Sequence, residues 1–261
     1  MTIPFPDMST TKINTVLEAD CLEAMDRIDR ESVDLAYLDP PFNTGRVLST
    51  SSSQYDDRWA DIDTYLAFLR PRLQAVYHAL QSNGVLLVHC DWRTCHHLRF
   101  CLDEIMGAEN FVNHLIWQYG LGGSSSRRFA RKHDDILFYT KGPEYYFDPP
   151  MVPATSQRMK GQMKKATDVL DIPAINNMAA ERVDYPTQKP LALLRLLIQA
   201  CAPPDGLVLD PFCGSGTTLV AADELDRQFV GIDANPAAVR IANQRLGNER
   251  PDAVDSATAH V

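Results

Sequence analysis

The sequence predicts an α/β fold: a doubly wound, mostly parallel sheet with an antiparallel hairpin at one edge and a small inserted region. Three observations carry this prediction. Short apolar runs of strand length alternate with segments of helical periodicity, as a parallel sheet with crossover helices requires. Three of those runs end in a carboxylate, at Asp39, Asp210 and Asp233, and the second is followed by a glycine turn. Such groups at the carboxyl ends of strands are where open α/β sheets take their ligands.

Taken in order, Ile13 to Ala19 reads as a strand, Leu22 to Asp29 as a short helix and Val33 to Leu38 as a buried strand leading into Asp39-Pro40-Pro41-Phe42. The stretch 43–60 begins rich in Ser, Thr and Gly without apolar periodicity, which predicts a mobile loop. Tyr65, Phe68, Leu69, Leu73, Val76 and Leu80 give helical spacing across 61–80, and Gly84 to His89 is a buried strand; both are assigned to the core and not to a site. Trp92 to Met106 resumes a helix. Phe111 to Tyr119 and Ile136 to Thr140 form the edge hairpin, with a long connection through Gly122-Gly123-Ser124 and Arg127 to Lys132. From 143 to 183 the composition shifts to Pro, Met, Lys and Asn, the inserted region. Leu191, Leu194, Leu197 and Ile198 mark a helix whose first turn starts at Pro190. Leu207 to Asp210 is a strand entering a glycine turn and a helix near Thr218, and Phe229 to Asp233 is the last of seven strands. One domain is therefore built from two halves, 1–142 and 184–246, around the insert 143–183, and the polar tail 247–261 is expected to be disordered.

The first acidic motif has a definite chemistry. Asp39 accepts hydrogen bonds, Pro40 cannot donate one and leaves a free carbonyl, and Phe42 offers a ring face. Together they suit a planar amino group carried on an aromatic ring. In the second motif, Asp210-Pro211-Phe212-Cys213-Gly214-Ser215-Gly216-Thr217-Thr218, glycines let a ligand approach the backbone. Asp233, some twenty residues on, is spaced to accept from ribose hydroxyls. The third glycine of a dinucleotide fingerprint and the lysine of a phosphate loop are both missing, which favours a nucleoside-containing cofactor without a pyrophosphate.

With 261 residues and 45% hydrophobic composition, the chain supplies a sizeable core. No apolar run approaches a membrane span and Met1 to Thr11 lacks a signal-peptide pattern, so a cytoplasmic protein without membrane partners is expected. The six cysteines form no Cys-x-x-Cys pair and read as reduced, buried small hydrophobes. His89-Cys90, Cys95-His96-His97 and Cys101 invite a zinc site, but on a helix they scatter around the cylinder, and no metal is expected. The net charge of −9 conceals an asymmetry: residues 113–165 carry +5 and the remainder −14. A basic segment on an acidic body suits a polyanion held locally, since phosphate neutralisation depends on local charge.

Asp39-Pro40-Pro41-Phe42-Asn43-Thr44-Gly45, Tyr185-Pro186-Thr187-Gln188-Lys189-Pro190 and the Asp210 to Gly216 motif, in this order, together resemble the β-class of S-adenosylmethionine-dependent amino DNA methyltransferases. The resemblance covers about 13–246, with the catalytic half first and the cofactor half last. It implies a seven-stranded Rossmann-like sheet and methyl transfer to the exocyclic amine of a flipped base in double-stranded DNA. Asp at the first motif position leans toward adenine N6; cytosine N4 is the alternative. Phe42 stands where tyrosine is commoner, and the ring keeps its stacking face. Asp39, Pro40, Pro41 and Phe42 are then catalytic. Asp20, Cys21, Thr187, Lys189, Asp210, Phe212, Cys213, Gly214, Ser215, Gly216, Thr217, Asp233 and Ala234 hold the cofactor, with Thr187 and Lys189 directed to its carboxylate. Arg127, Arg128, Arg131, Lys132, Lys160, Lys164 and Lys165 are the DNA-binding set, and 143–183 reads the target. A homodimer and an associated restriction enzyme are the partners this class suggests. Direct displacement requires no protein nucleophile, so Cys213 is not expected to be catalytic. Two other classes fit less: a non-catalytic DNA-binding subunit, and a metal-dependent hydrolase built on Asp39, Asp56, Asp57 and Asp61.

Overall fold

In the computed structural model, which describes residues 12–49, 54–120, 124–154, 157–176, 178–183 and 185–247, the apolar runs assemble into an eight-stranded sheet. The elements are β1 (Thr15–Glu18), α1 (Cys21–Met25), β2 (Val33–Leu38), β3 (Arg46–Ser49), β4 (Gln54–Asp57), α2 (Ile62–Ala79), β5 (Leu80–Cys90), α3 (Cys95–Met106), β6 (Phe111–Gln118) and β7 (His133–Thr140). They continue with β8 (Met151–Pro153), β9 (Met163–Lys165), β10 (Val169–Asp171), α4 (Leu191–Cys201), β11 (Leu207–Asp210), α5 (Thr217–Glu224), β12 (Gln228–Asp233) and α6 (Pro236–Arg245). The order across the main sheet is β1-β12-β11-β2-β5-β7-β6-β10, and β7 alone runs against its neighbours.

Period-two alternation divides the core between the two faces of the sheet. Leu86 and Val88 of β5 pack with Tyr65, Leu69 and Leu73 of α2 and with Leu98 of α3. Val85 and Leu87 point the other way, into a cluster with Leu194 and Leu197 of α4 and Leu219 of α5. Local chemistry fixes the helix starts. Asp61 accepts from the Thr64 amide at 2.7 Å, and Asn235 accepts from Ala237 at 3.0 Å ahead of Pro236. Pro190, expected to open the first turn, instead precedes α4 as its cap, one residue before Leu191.

The chain crosses from β2 to β5 in one direction along the sheet and from β11 to β12 in the other, while β2 and β11 themselves lie side by side. This reversal opens a crevice at their carboxyl ends.

The structure departs from the sequence-based expectation in two places. The predicted loop 43–60 contains an antiparallel hairpin, β3 with β4, paired from Arg46↔Asp57 to Ser49↔Gln54. Its strands are four residues long and built largely of polar side chains, so no apolar alternation announces them. The inserted region also contributes β10, paired parallel with β6, so the predicted edge hairpin is covered by an eighth strand. Leu170, 5% exposed, anchors it in the core. Gly247 closes α6, and the rest of the predicted disordered tail lies outside the described residues.

Leu170→Ala is expected to cost about 2–4 kcal/mol and to speed amide hydrogen exchange of Ile116, whose N–H bonds the Asp168 carbonyl at 2.7 Å. Unchanged exchange there would show that β10 adds nothing to the sheet.

Candidate active site

Several parts of the chain meet at the crevice between β2 and β11, among them the turn after β1, the Asp39 turn, β4, the inner face of α2, the segment before α4, the glycine turn after β11 and the turn after β12. They enclose a cavity of about 430 Å³. Asp39, Pro40, Pro41 and Phe42 all line it. So do Asp20, Cys21, Thr187, Lys189, Asp210, Phe212, Cys213, Gly214, Ser215, Thr217, Asp233 and Ala234.

Asp39 is held from one side only. Its Oδ2 is bonded to the Lys189 ammonium, which comes from 150 residues away, while Oδ1 is buried without a hydrogen-bond partner. An unpaired buried carboxylate oxygen costs free energy unless a donor reaches it; the His89 ring nitrogen Nδ1 stands 3.8 Å from Oδ1, and Asp39 as a residue lines the cavity. The Tyr65 hydroxyl donates to the Pro41 carbonyl at 2.8 Å, fixing the Pro-Pro turn beside the Pro40 carbonyl. The Phe42 ring lies 5.4 Å from the His89 ring, and the Lys189 ammonium is 5.2 Å above Phe42. Lys189, assigned from sequence to the cofactor carboxylate, is thus tied to Asp39 in this structure.

On the other side of the cavity, Asp233 accepts from the Gly214 and Asn235 amides, both at 2.8 Å. Asp210 accepts from the Phe212 amide at 3.0 Å. Burial raises the Asp210 pKa to about 7, with the charges of Asp39 and Asp233 adding to the rise against hydrogen bonds from Thr218 and Phe212. Burial also raises Asp233, partly offset by its two amide donors. Asp20 is paired with Arg72 at 2.7 Å, and the Arg72 guanidinium stacks on Phe68 at 3.8 Å. Gly216 does not line the cavity; its φ is +74° and a Cβ there would sit 2.7 Å from that of Ala242, so it serves the close approach of α5 to α6. Burial, then the charges of Asp210 and Asp233, push the Cys213 thiol well up, which suits an inert packing role.

The assignment of α2 and β5 to the core alone needs correction. Arg72 and Phe68 line the cavity, and His89, fully buried, bonds the Tyr37 hydroxyl at 2.7 Å with Nδ1 3.8 Å from Asp39 Oδ1 and Nε2 3.4 Å from Asp134 Oδ2. Burial works to raise Asp134, but His89 and then Lys189 hold it below the usual carboxylate range. The signal available in the sequence was an arginine at a position of α2 facing the core, a place where a charge stays only with a partner. The candidate hydrolase carboxylates are otherwise engaged: Asp57 accepts from the Asn43 and Thr44 amides at 2.8 and 2.9 Å, Asp56 pairs with Arg58 at 2.7 Å and Asp61 caps α2. Of the residues that suggested zinc, His89 lies buried behind Asp39 and Cys101 belongs to the core. Cys95 instead meets His114 and Asp135, with His114 Nε2 at 2.6 Å from Asp135 Oδ1.

The predicted DNA-binding residues fall on two elements. Arg127, Arg128 and Arg131 are exposed on the connection from β6 to β7, with Lys132 at its end. Lys164 and Lys165 lie on β9 of a separate two-stranded sheet with β8, and Lys160 just before it.

A model of the DNA methylase family, N6_N4_Mtase, matches residues 33–244. The type II methyltransferase M.HpaI of Haemophilus parainfluenzae is 30% identical over 236 residues, 88% of this chain and 73% of the relative. The type II methyltransferase M.ScaI of Streptomyces caespitosus is 28% identical, over 88% and 80% of the two chains. Among solved structures, the M1.HpyAVI complex with SAM superposes with a TM-score of 0.65 at 22% identity, over 89% of this chain and 98% of the other. The PvuII cytosine-N4-specific DNA methyltransferase gives 0.67 at 16% identity, over 90% and 87%. At these identities the superpositions show the fold.

The clustered carboxylates carry a stability cost that pH reveals. The folded chain keeps a proton on Asp210 up to about pH 7, whereas the unfolded chain releases it near about pH 4, so this group's contribution to stability is lost as pH rises between the two. Asp210→Asn, which keeps the acceptor for Phe212, is expected to raise the melting temperature at pH 8 by roughly 2–4 °C, with the gain shrinking toward pH 5. An equal shift at both pH values would contradict the raised pKa.

Proposed function

The chain belongs to the DNA methylase family, and we propose that within it the protein methylates adenine N6 at a short specific site in double-stranded DNA, with S-adenosylmethionine as donor. The observation that carries this reading is Asp39, a cavity-lining carboxylate whose Oδ2 is held by Lys189 and whose Oδ1 has no hydrogen-bond partner.

The cavity fits that donor by charge. Asp20, Asp39 and Asp233 face it against Arg72 and Lys189, with Asp210 adding charge only as it ionises near pH 7, a net negative lining suited to a molecule bearing a sulfonium and an ammonium. Asp233 retains acceptor capacity for ribose hydroxyls beside its two amide bonds. When bound, the donor supplies an electrophilic methyl group whose bond to sulfur breaks as the bond to nitrogen forms, leaving a neutral thioether and a methylated nitrogen that then gives up one of its two protons to water.

The protein's part is to make the amine nucleophilic. In adenine or cytosine the nitrogen lone pair is delocalised into the ring. Asp39 Oδ1 and the Pro40 carbonyl accept its two N–H groups, favouring a tetrahedral nitrogen with the lone pair free. Phe42 stacks on the base, and Lys189 holds the Asp39 carboxylate in place beside the Phe42 ring. Extrusion of the base costs a few kcal/mol, offset by this stacking and by phosphate contacts from Arg127, Arg128, Arg131, Lys132, Lys160, Lys164 and Lys165. Residues 143–183 contribute target recognition, and a homodimer and a companion restriction enzyme are the partners this reading carries. Among the described residues no helix is long and apolar enough to cross a membrane. The second reading, cytosine N4, is favoured by the likeness to the PvuII enzyme, since both bases offer an amino group to the same acceptors.

Incubation with labelled S-adenosylmethionine and unmethylated genomic DNA, followed by mass spectrometry of the nucleosides, should yield N6-methyladenine. N4-methylcytosine would replace the base assignment, and unlabelled DNA would sink the whole reading. Asp39→Ala is expected to abolish transfer with cofactor binding retained, whereas Asp233→Ala should weaken the cofactor by about tenfold or more. Equal loss of cofactor affinity in both variants would refute the division of roles.

A further inference from the structure

The connection between β6 and β7 presents a feature that phosphate binding leaves unexplained. Phe129 is 98% exposed, the most exposed large apolar side chain among the described residues. It stands within Arg127-Arg128-Phe129-Ala130-Arg131-Lys132, so basic side chains flank the ring on both sides. Burial of an aromatic ring is strongly favourable, and a solvated phenylalanine on a ligand-facing connection is a candidate for burial in a partner. The flanking charge identifies a polyanion as that partner.

Its stem is anchored. Two residues beyond Phe129, the Arg131 guanidinium stacks on the Trp92 ring at 3.5 Å, and Trp92 follows the carboxyl end of β5. The Tyr119 amide bonds the Lys132 carbonyl at 3.0 Å, closing the base of the connection. The Tyr119 hydroxyl reaches Asp134 at 3.2 Å, Asp134 faces His89 at 3.4 Å, and His89 lies 3.8 Å from Asp39. A continuous series of contacts therefore joins the anchor of the Phe129 loop to the catalytic carboxylate. Register supports the same placement: Cys90 at the end of β5 opposes Asp135 near the start of β7, so the connection emerges at the edge where Asp39 lies.

We infer that Phe129 is a wedge that enters the base stack of the substrate duplex and occupies the gap left by the extruded base. A flat apolar ring can stack on the base pairs bordering the gap, and apolar side chains are used in this way where duplex DNA is unstacked. Arg127, Arg128 and Arg131 hold the phosphates on either side while the ring inserts. The wedge acts on the opening of the duplex and leaves the chemistry to Asp39, and it rests on the proposed methylation of double-stranded DNA.

The test begins by mapping methylated positions in genomic DNA treated with the wild-type protein. Duplexes carrying that site are then made with the target base either normally paired or opposite an abasic position. Phe129→Ala should lose on the order of tenfold or more in transfer to the paired duplex and recover to within about threefold of wild type on the abasic-opposed one. Phe129→Leu, which keeps an apolar side chain, should retain most of the paired-duplex activity, and affinity for S-adenosylmethionine should be unchanged in both variants. Equal impairment of Phe129→Ala on the two duplexes would overturn the wedge in favour of a general DNA contact, and wild-type activity on both would overturn it outright. Either result leaves methylation standing, whereas absence of transfer by the wild-type protein to any DNA overturns the methylation reading and the wedge with it.

Discussion

The crowding of carboxylates at the carboxyl ends of adjacent parallel strands governs the rest of the site. Asp39 follows β2, Asp210 ends β11 and Asp233 ends β12, and these strands are neighbours in the sheet. Buried negative charges at such a place must each find a donor or remain protonated. Asp39 takes Lys189, Asp233 takes two backbone amides, and Asp20, following β1, takes Arg72. Asp210 is under-compensated and keeps its proton to about pH 7. The outcome is a cavity whose field is set for a cation before any ligand arrives. Glycine at 214, with φ of +51°, places its amide on Asp233, so the glycine turn and the carboxylate position each other.

Residues whose chemistry is carried by their neighbours in sequence were legible; those whose role arises from contacts across the fold were not. The strand ends, the Pro-Pro turn and the glycine turn are local arrangements, written in backbone preferences and therefore readable. Lys189 was readable as a residue of the site but not as the partner of Asp39, because 150 residues separate the pair. His89 ends a wholly apolar run, and nothing in Leu86-Leu87-Val88 distinguishes a histidine facing the site from a polar stop. The β3–β4 hairpin was hidden by its Ser and Thr content; its connection to the site is made by one side chain, Asp57, which bonds the amides of Asn43 and Thr44. A β-propensity scan has no means of seeing that anchor. Likewise β10 is three residues long, and only the exposed edge of β6 gives it a reason to be a strand.

The order of the two halves along the chain is immaterial to the site because the sheet brings β2 and β11 together whichever is made first. What the order does change is the distance in sequence between the Asp39 turn and the glycine turn, and it places the inserted region between them. Since β10 of that insert is hydrogen-bonded to β6, and β6 is paired with β7, the insert is coupled through two strand pairings to the element that carries His133 and Asp134.

The reversal of β7 has the largest functional consequence of any single feature of the topology. In a wholly parallel sheet each crossover returns along a helix to the opposite edge, and the ligand edge receives only the loops that follow strands. Here β6 ends and β7 begins at the ligand edge, so their whole connection is delivered there, next to β5 and one strand removed from the Asp39 turn. That connection bears three of the chain's arginines and Phe129, all outside the acidic cavity. One antiparallel strand thereby separates two surfaces of opposite charge. An acidic cavity lies on one side of it and a basic rim on the other. Neither surface has to compromise the other.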